Sequence, residues 1–225
     1  MGKEYLPQIQ TISTVPSPVD VFLAEDFEDS LNWELSFDGD GYIRRDPAQG
    51  FTGAYGCVLK SRVTGAAVAD WVTMWKSIGR VRGRYVEVFV RFKQKIYDNA
   101  GAVSFHLTIN TPAGADEYAI RYDPSTRLWY YQDVNQDLVA IADLSMYPRD
   151  NQFTLLRFVL DLVKRRYVMV DIGSQIASLA GIEPYHPVGY GSELNNYFMI
   201  AFVSLTAASV DMAVDNIFIR NIPSP

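Results

Sequence analysis

Short apolar runs, each broken by single polar positions and closed by Gly, Pro, Asn or Asp, follow one another from Val21 onward. That rhythm predicts strands joined by tight turns. The clearest case is residues 85–93, where Val86, Val88, Val90 and Phe92 alternate with Tyr85, Glu87, Phe89, Arg91 and Lys93. Successive side chains of a strand point to opposite faces, so this period of two gives one apolar face and one mixed face. Residues 103–110 repeat the pattern, with Val103, Phe105, Leu107 and Ile109 opposed to Ser104, His106, Thr108 and Asn110.

Two hairpins follow. Residues 118–122 and 128–131 flank Asp123-Pro124-Ser125-Thr126, a turn with proline at a favoured position, and residues 134–137 link 128–132 to 138–142. Sequential antiparallel pairing is the simplest topology for them. Residues 153–172 could line a helix by apolar content alone. The alternation of Val168, Val170 and Ile172 with Tyr167, Met169 and Asp171, and the polar break at Lys164-Arg165-Arg166, predict two strands and a solvated turn. The last two strands are expected at 198–205 and 210–219. In the second, Val210, Met212 and Val214 share one parity and Ile217 and Ile219 the other, so a bulge near Asp215-Asn216 is needed to keep one face buried. Trp71 and Trp75 fall in a strand over 68–75, with at least one expected in the core. Residues 1–20 carry Pro7, Pro16 and Pro18 and no period. They are expected to form an extended arm ahead of a single domain over 21–225.

Composition narrows the classes. The 225 residues are 48% hydrophobic and 20% charged, with a net charge of −6, which suits one all-β domain and no spanning helix. An acidic chain without a large Lys/Arg cluster lacks the counterion-releasing surface that nucleic acid requires. Cys57 is the sole cysteine, which excludes an intrachain disulfide and a paired-cysteine metal site. The first seven residues show no secretory apolar stretch.

Candidate chemistry is sparse. Of the two histidines, His106 sits on the polar parity of its strand and His186 in an aromatic loop. No Gly-x-Ser-x-Gly elbow, His-Glu-x-x-His pair, phosphate loop or dinucleotide fingerprint occurs. Asp116 and Glu117 are adjacent, so on a strand they point to opposite faces. The loop over 183–191 concentrates Tyr185, His186 and Tyr190 between Gly and Pro, a surface suited to a ligand or partner. Asp38-Gly39-Asp40-Gly41 reads as a turn.

Three segments resemble the concanavalin A-like lectin/glucanase sandwiches and related jelly-roll carbohydrate-binding modules. They are Glu25-Asp26-Phe27-Glu28-Asp29 with Trp33 and Gly53-Ala54-Tyr55-Gly56; Leu156 to Asp161 with Arg166 to Asp171; and Val214-Asp215-Asn216-Ile217-Phe218-Ile219. The resemblance implies a two-sheet antiparallel jelly-roll β-sandwich. It also implies a structural Ca²⁺ held by Glu28 and Asp215. The paired carboxylates of the glucanase branch are missing, so no catalytic residue is expected. The sequence therefore predicts a non-catalytic structural protein, such as a phage or viral virion component, that self-assembles into a homo-oligomer through its arm and aromatic loop. The alternative is a carbohydrate-binding, lectin-like module, and a glycoside hydrolase-like enzyme is the distant one.

Overall fold

In a computed structural model of the chain, residues 20–51, 53–94, 101–111, 114–144, 148–149, 152–187, 196–209 and 211–225 are described. The arm over 1–20 lies outside them except for Asp20. No helix occurs among the described residues. The strands are β1 (Val21–Glu25), β2 (Glu34–Phe37), β3 (Tyr42–Asp46), β4 (Gly56–Lys60), β5 (Trp71–Ser77), β6 (Tyr85–Gln94), β7 (Gly101–Thr111) and β8 (Gly114–Asp123). They continue with β9 (Leu128–Gln132), β10 (Leu138–Ala140), β11 (Thr154–Asp161), β12 (Arg166–Ile172), β13 (Gln175–Ser178), β14 (Tyr197–Ser204) and β15 (Asp211–Ile222).

These strands form two antiparallel sheets. The eight-stranded sheet runs β13-β12-β11-β6-β15-β4-β3, with β1 paired to β15, and the seven-stranded sheet runs β10-β9-β8-β7-β14-β5-β2. The sandwich and both predicted hairpins are as the pattern required. The last two strands are not partners: β14 lies between β7 and β5, and β15 between β6 and β4.

Alternation decides what lies between the sheets. Val86, Val88, Val90 and Phe92 of β6 face Val103, Phe105 and Leu107 of β7, all with no exposed surface, and Phe92 and Phe105 meet at 5.1 Å between ring centroids. The bulge in β15 falls where parity demanded it. The register against β6 shifts between Asp215 and Phe218, and Asn216 takes up the extra residue at φ +49°. Asn tolerates that left-handed conformation better than most side chains. Val214 and Ile217 thereby both stay fully buried.

Trp71 and Trp75 do not enter the core. Val72 and Met74 hold the buried parity of β5, while Trp71 is 36% exposed and Trp75 half-buried. The core indoles are Trp33 and Trp129. Nor is the basic turn at 164–166 simply solvated. Arg165 forms an ion pair with Asp116 of the other sheet, and Arg166 pairs with Glu183 at 3.1 Å. Beside this clamp, Tyr167 projects between β8 and β9. Its hydroxyl accepts the Ala119 N–H at 2.7 Å and lies 3.1 Å from the Gln132 carbonyl, and burial holds the phenol above its usual range.

Candidate functional site

The outer face of the seven-stranded sheet is built from the parity that the core does not use. Register places Ser36, Thr73, Ala201, Ser104, Arg121, Tyr130 and Ala140 in one row that crosses every strand of the sheet. Beside it runs a second row, Glu34, Trp75, Met199, His106 and Ala119. At a strand spacing of about 4.8 Å, the first row is about 29 Å long. Small side chains at Ser36, Thr73, Ala201 and Ser104 make its floor low, with Trp71 and Trp75 standing beside it.

Around the two indoles lies a recess of about 490 Å³, lined among others by Glu34, Thr73, Tyr197 and Met199, a size suited to a small ligand. Trp75 donates its Nε1–H to Glu34 Oε2 at 2.9 Å, which fixes the ring against the sheet. Trp71 and Trp75 are four residues apart on one strand, about 13 Å. Further along the face, His106 Nδ1 lies 2.7 Å from Glu117 Oε1, and Arg121 reaches Asp123 at only 3.9 Å. Arg121 Nε, Thr108 Oγ1 and Gln132 Oε1 are buried with no hydrogen-bond partner among the described residues. Polar atoms left so cost free energy unless water or a ligand meets them. The face thus pairs an aromatic end with a polar end that carries His106, Glu117 and Arg121.

The residues singled out in the sequence lie elsewhere. The Tyr185 carbonyl accepts the Glu117 N–H at 2.9 Å, fastening its loop to the edge of β8. His186 Nδ1 is 2.8 Å from Asp116 Oδ1 and joins the Arg165 clamp. Tyr190 lies outside the described residues. As alternation required, Asp116 and Glu117 point apart, the first into this clamp and the second to His106.

Glu28 and Asp215 are brought to one loop. Glu28 Oε1 accepts the N–H groups of Ala54 at 2.8 Å and Tyr55 at 2.9 Å, and Asp215 Oδ2 that of Phe51 at 2.7 Å. The oxygens meet amide donors, an arrangement that suits loop anchoring better than a cation. Among the described residues no three His, Cys, Asp or Glu side chains converge on a point.

Cys57 lies in β4 with its Sγ 3.8 Å from Met74 Sδ. Burial pushes its thiol well above the usual range, the reverse of what a nucleophile needs. The Trp71–Trp75 platform was missed in the sequence because aromatic residues are ordinarily read as core. Its signal was present in the buried parity of Val72 and Met74.

No protein-family model matches the chain, and no curated protein sequence matches it. Solved structures do. An endo-β-1,4-glucuronan lyase from the fungus Trichoderma reesei superposes with a TM-score of 0.61 at 9% identity, over 90% of this chain and 96% of that one. A protein described as a conserved carbohydrate esterase of the Shiga toxin-encoding bacteriophage phi24B gives 0.60 at 13% identity, over 90% and 98%. The carbohydrate recognition domain of Emp47p gives 0.53 at 12% identity, over 90% and 96%. At such identities the likeness is one of fold, a two-sheet antiparallel β-sandwich.

Proposed function

We propose that this protein is a carbohydrate-binding domain whose saccharide lies across the outer face of the seven-stranded sheet. The observation that carries the reading is the pair Trp71 and Trp75, held on the solvent side of β5 over a recess of about 490 Å³. Indoles offer a large apolar face and a polar edge, and they order at low entropic cost. That combination suits a sugar ring, apolar on its faces and hydroxylated at its rim. The row of small side chains gives an extended ligand a path across the strands toward Arg121 and Tyr130. The similarity to proteins described as a carbohydrate recognition domain, an esterase and a lyase of carbohydrates supports the same ligand class.

Binding is proposed without bond cleavage. Glycoside hydrolysis by two carboxylates needs them about 5–10 Å apart. On this face Glu34 and Glu117 stand four strands apart, and Asp123 lies six residues along β8 from Glu117, separations of about 20 Å each. The self-assembling virion role expected from the arm rests on residues outside those described, so the sheet face and not the arm carries this proposal.

The test is affinity electrophoresis and calorimetry against a panel of soluble glucans, xylans and uronans, with the Trp71→Ala, Trp75→Ala double variant beside the wild type. The variant should lose about tenfold or more in affinity, about 1.4 kcal/mol, for whichever polysaccharide retards the wild type. Full retention by the double variant, or its loss in Tyr185→Ala instead, would move the site to the loop over 183–187. Reducing-end assays on the bound polysaccharide should show no release of product.

A further inference from the structure

The opposite face of the sandwich has a different character. Although the chain carries a net charge of −6, the middle of the eight-stranded sheet presents Arg91 and Lys93 from β6, Arg157 from β11 and Arg220 from β15 on its outer side. Glu87, the carboxylate between them, is only 3% exposed and is engaged by Arg157 and by Arg220 at 2.6 Å. The cationic groups remain at the surface.

At one end of this face is a recess of about 420 Å³, lined among others by Phe51, Arg91, Arg149, Gln152 and Phe153. Its parts hold one another in place. The Arg91 guanidinium lies 4.1 Å from the Phe51 ring centroid and donates to Asn216 Oδ1 at 3.2 Å. Phe51 and Phe153 meet edge to face at 5.3 Å, and Lys93 Nζ stands 4.9 Å from the Phe153 centroid. Phe51 nevertheless keeps 47% of its surface exposed. Among the described residues no carboxylate forms an ion pair with Arg91, Lys93 or Arg149. Phe51 is set in place by the hydrogen bond from its N–H to Asp215, and Arg91 by the amide of the bulge residue Asn216, so the loop over 49–55 and the β15 bulge together build the wall.

We propose that this recess is a second ligand site, for a sugar that carries an anionic group, a carboxylate or a phosphate ester. The arginines supply charge-assisted hydrogen bonds to the anion, and the two phenyl rings supply an apolar wall for the pyranose carbons. The site is independent of the Trp71–Trp75 platform, which lies on the other sheet. The ligand class also follows from the face itself: two phenyls without the cations would suit a neutral ring, and cations without the phenyls would suit any anion.

Titration calorimetry of the full chain at low ionic strength tests this with four probes: glucuronate, glucose 6-phosphate, glucose and inorganic phosphate. Both acidic sugars should bind, glucose and inorganic phosphate each about tenfold more weakly or worse, and added salt should weaken the binding. Arg149→Gln and Phe51→Ala should each cost about tenfold with an unchanged melting temperature, and the double variant at Trp71 and Trp75 should bind the acidic sugars as the wild type does. Glucose binding as tightly as glucuronate would overturn the proposal. So would inorganic phosphate matching glucose 6-phosphate, both variants at full affinity, or no heat from either acidic sugar at millimolar concentration.

Discussion

Glu87 shows how a charge is kept inside this protein. Burial raises the carboxyl, but hydrogen bonds and charge from Arg157 and Arg220 outweigh it, and the group is held below its ordinary value. Asp40, bound by the Thr64 side chain and by the N–H groups of Val63 and Thr64, is lowered to about 2. A carboxylate whose folded pKa is depressed contributes stability that is complete above its unfolded value of about 4 and is lost as pH falls through the folded value. The denaturant midpoint should therefore fall between pH 5 and pH 2. Glu87→Gln should cost about 2 kcal/mol at pH 7, from weakened charged hydrogen bonds, and flatten that acid limb; an unchanged pH profile would show the bridge contributes nothing. Asp171 runs the other way. Burial raises it, with Arg157 opposing, so its contribution is least favourable above its folded value. Asp171→Asn should raise the urea midpoint at pH 7 and leave it alone at pH 3.

At the scale of elements, the bulge in β15 and the loop over 49–55 form one unit, since Asp215 accepts from Phe51 and Glu28 from Ala54 and Tyr55. The backbone at Asn216, φ +49°, favours Gly or Asn. Asn216→Ala should cost about 1–2 kcal/mol, measured by urea denaturation, and Asn216→Gly much less. Calcium at Glu28 and Asp215 would compete with the backbone N–H groups that Glu28 Oε1 and both oxygens of Asp215 already accept. Melting curves with calcium and with chelator test this, and the hydrogen bonding leads us to expect the same midpoint in both. The hairpin β11–β12 is the other organising element, because Arg165 and Tyr167 reach across to the seven-stranded sheet. Arg165→Ala should loosen Tyr185 and His186 along with it, visible as faster amide exchange at Glu117, whose N–H is bonded to the Tyr185 carbonyl.

For the molecule as a whole, β15 is the keystone. It pairs with β1, β4 and β6, and Asp20, beside β1, exchanges hydrogen bonds with Asn221. A chain ending at residue 209 loses the partner of three strands and should not fold, as read by circular dichroism and proteolysis. A resistant, folded truncation would contradict the assignment. Because most neighbours in the sheets are distant in sequence, the sandwich has to close long loops before its contacts form.

The amino-acid order by itself determined the elements: period two at β6 and β7, the turn chemistry of both hairpins, the two strands over 153–172, and the shift of parity that places a bulge at Asp215–Asn216. These were legible because backbone alternation and turn propensity are local. Which side of each strand looks inward was only partly local. At least one of Trp71 and Trp75 is expected in the core on residue type, yet Val72 and Met74 take the inner positions, because a strand's buried face is chosen by the sheet that packs on it. Only the tertiary structure aligned Thr73, Ala201, Ser104 and Arg121 into one row, set Arg165 against Asp116, and gathered Phe51, Arg91, Arg149 and Phe153 around one recess. Those residues come from strands and loops far apart in the chain, and pairing register, which no single segment encodes, is what brings them together.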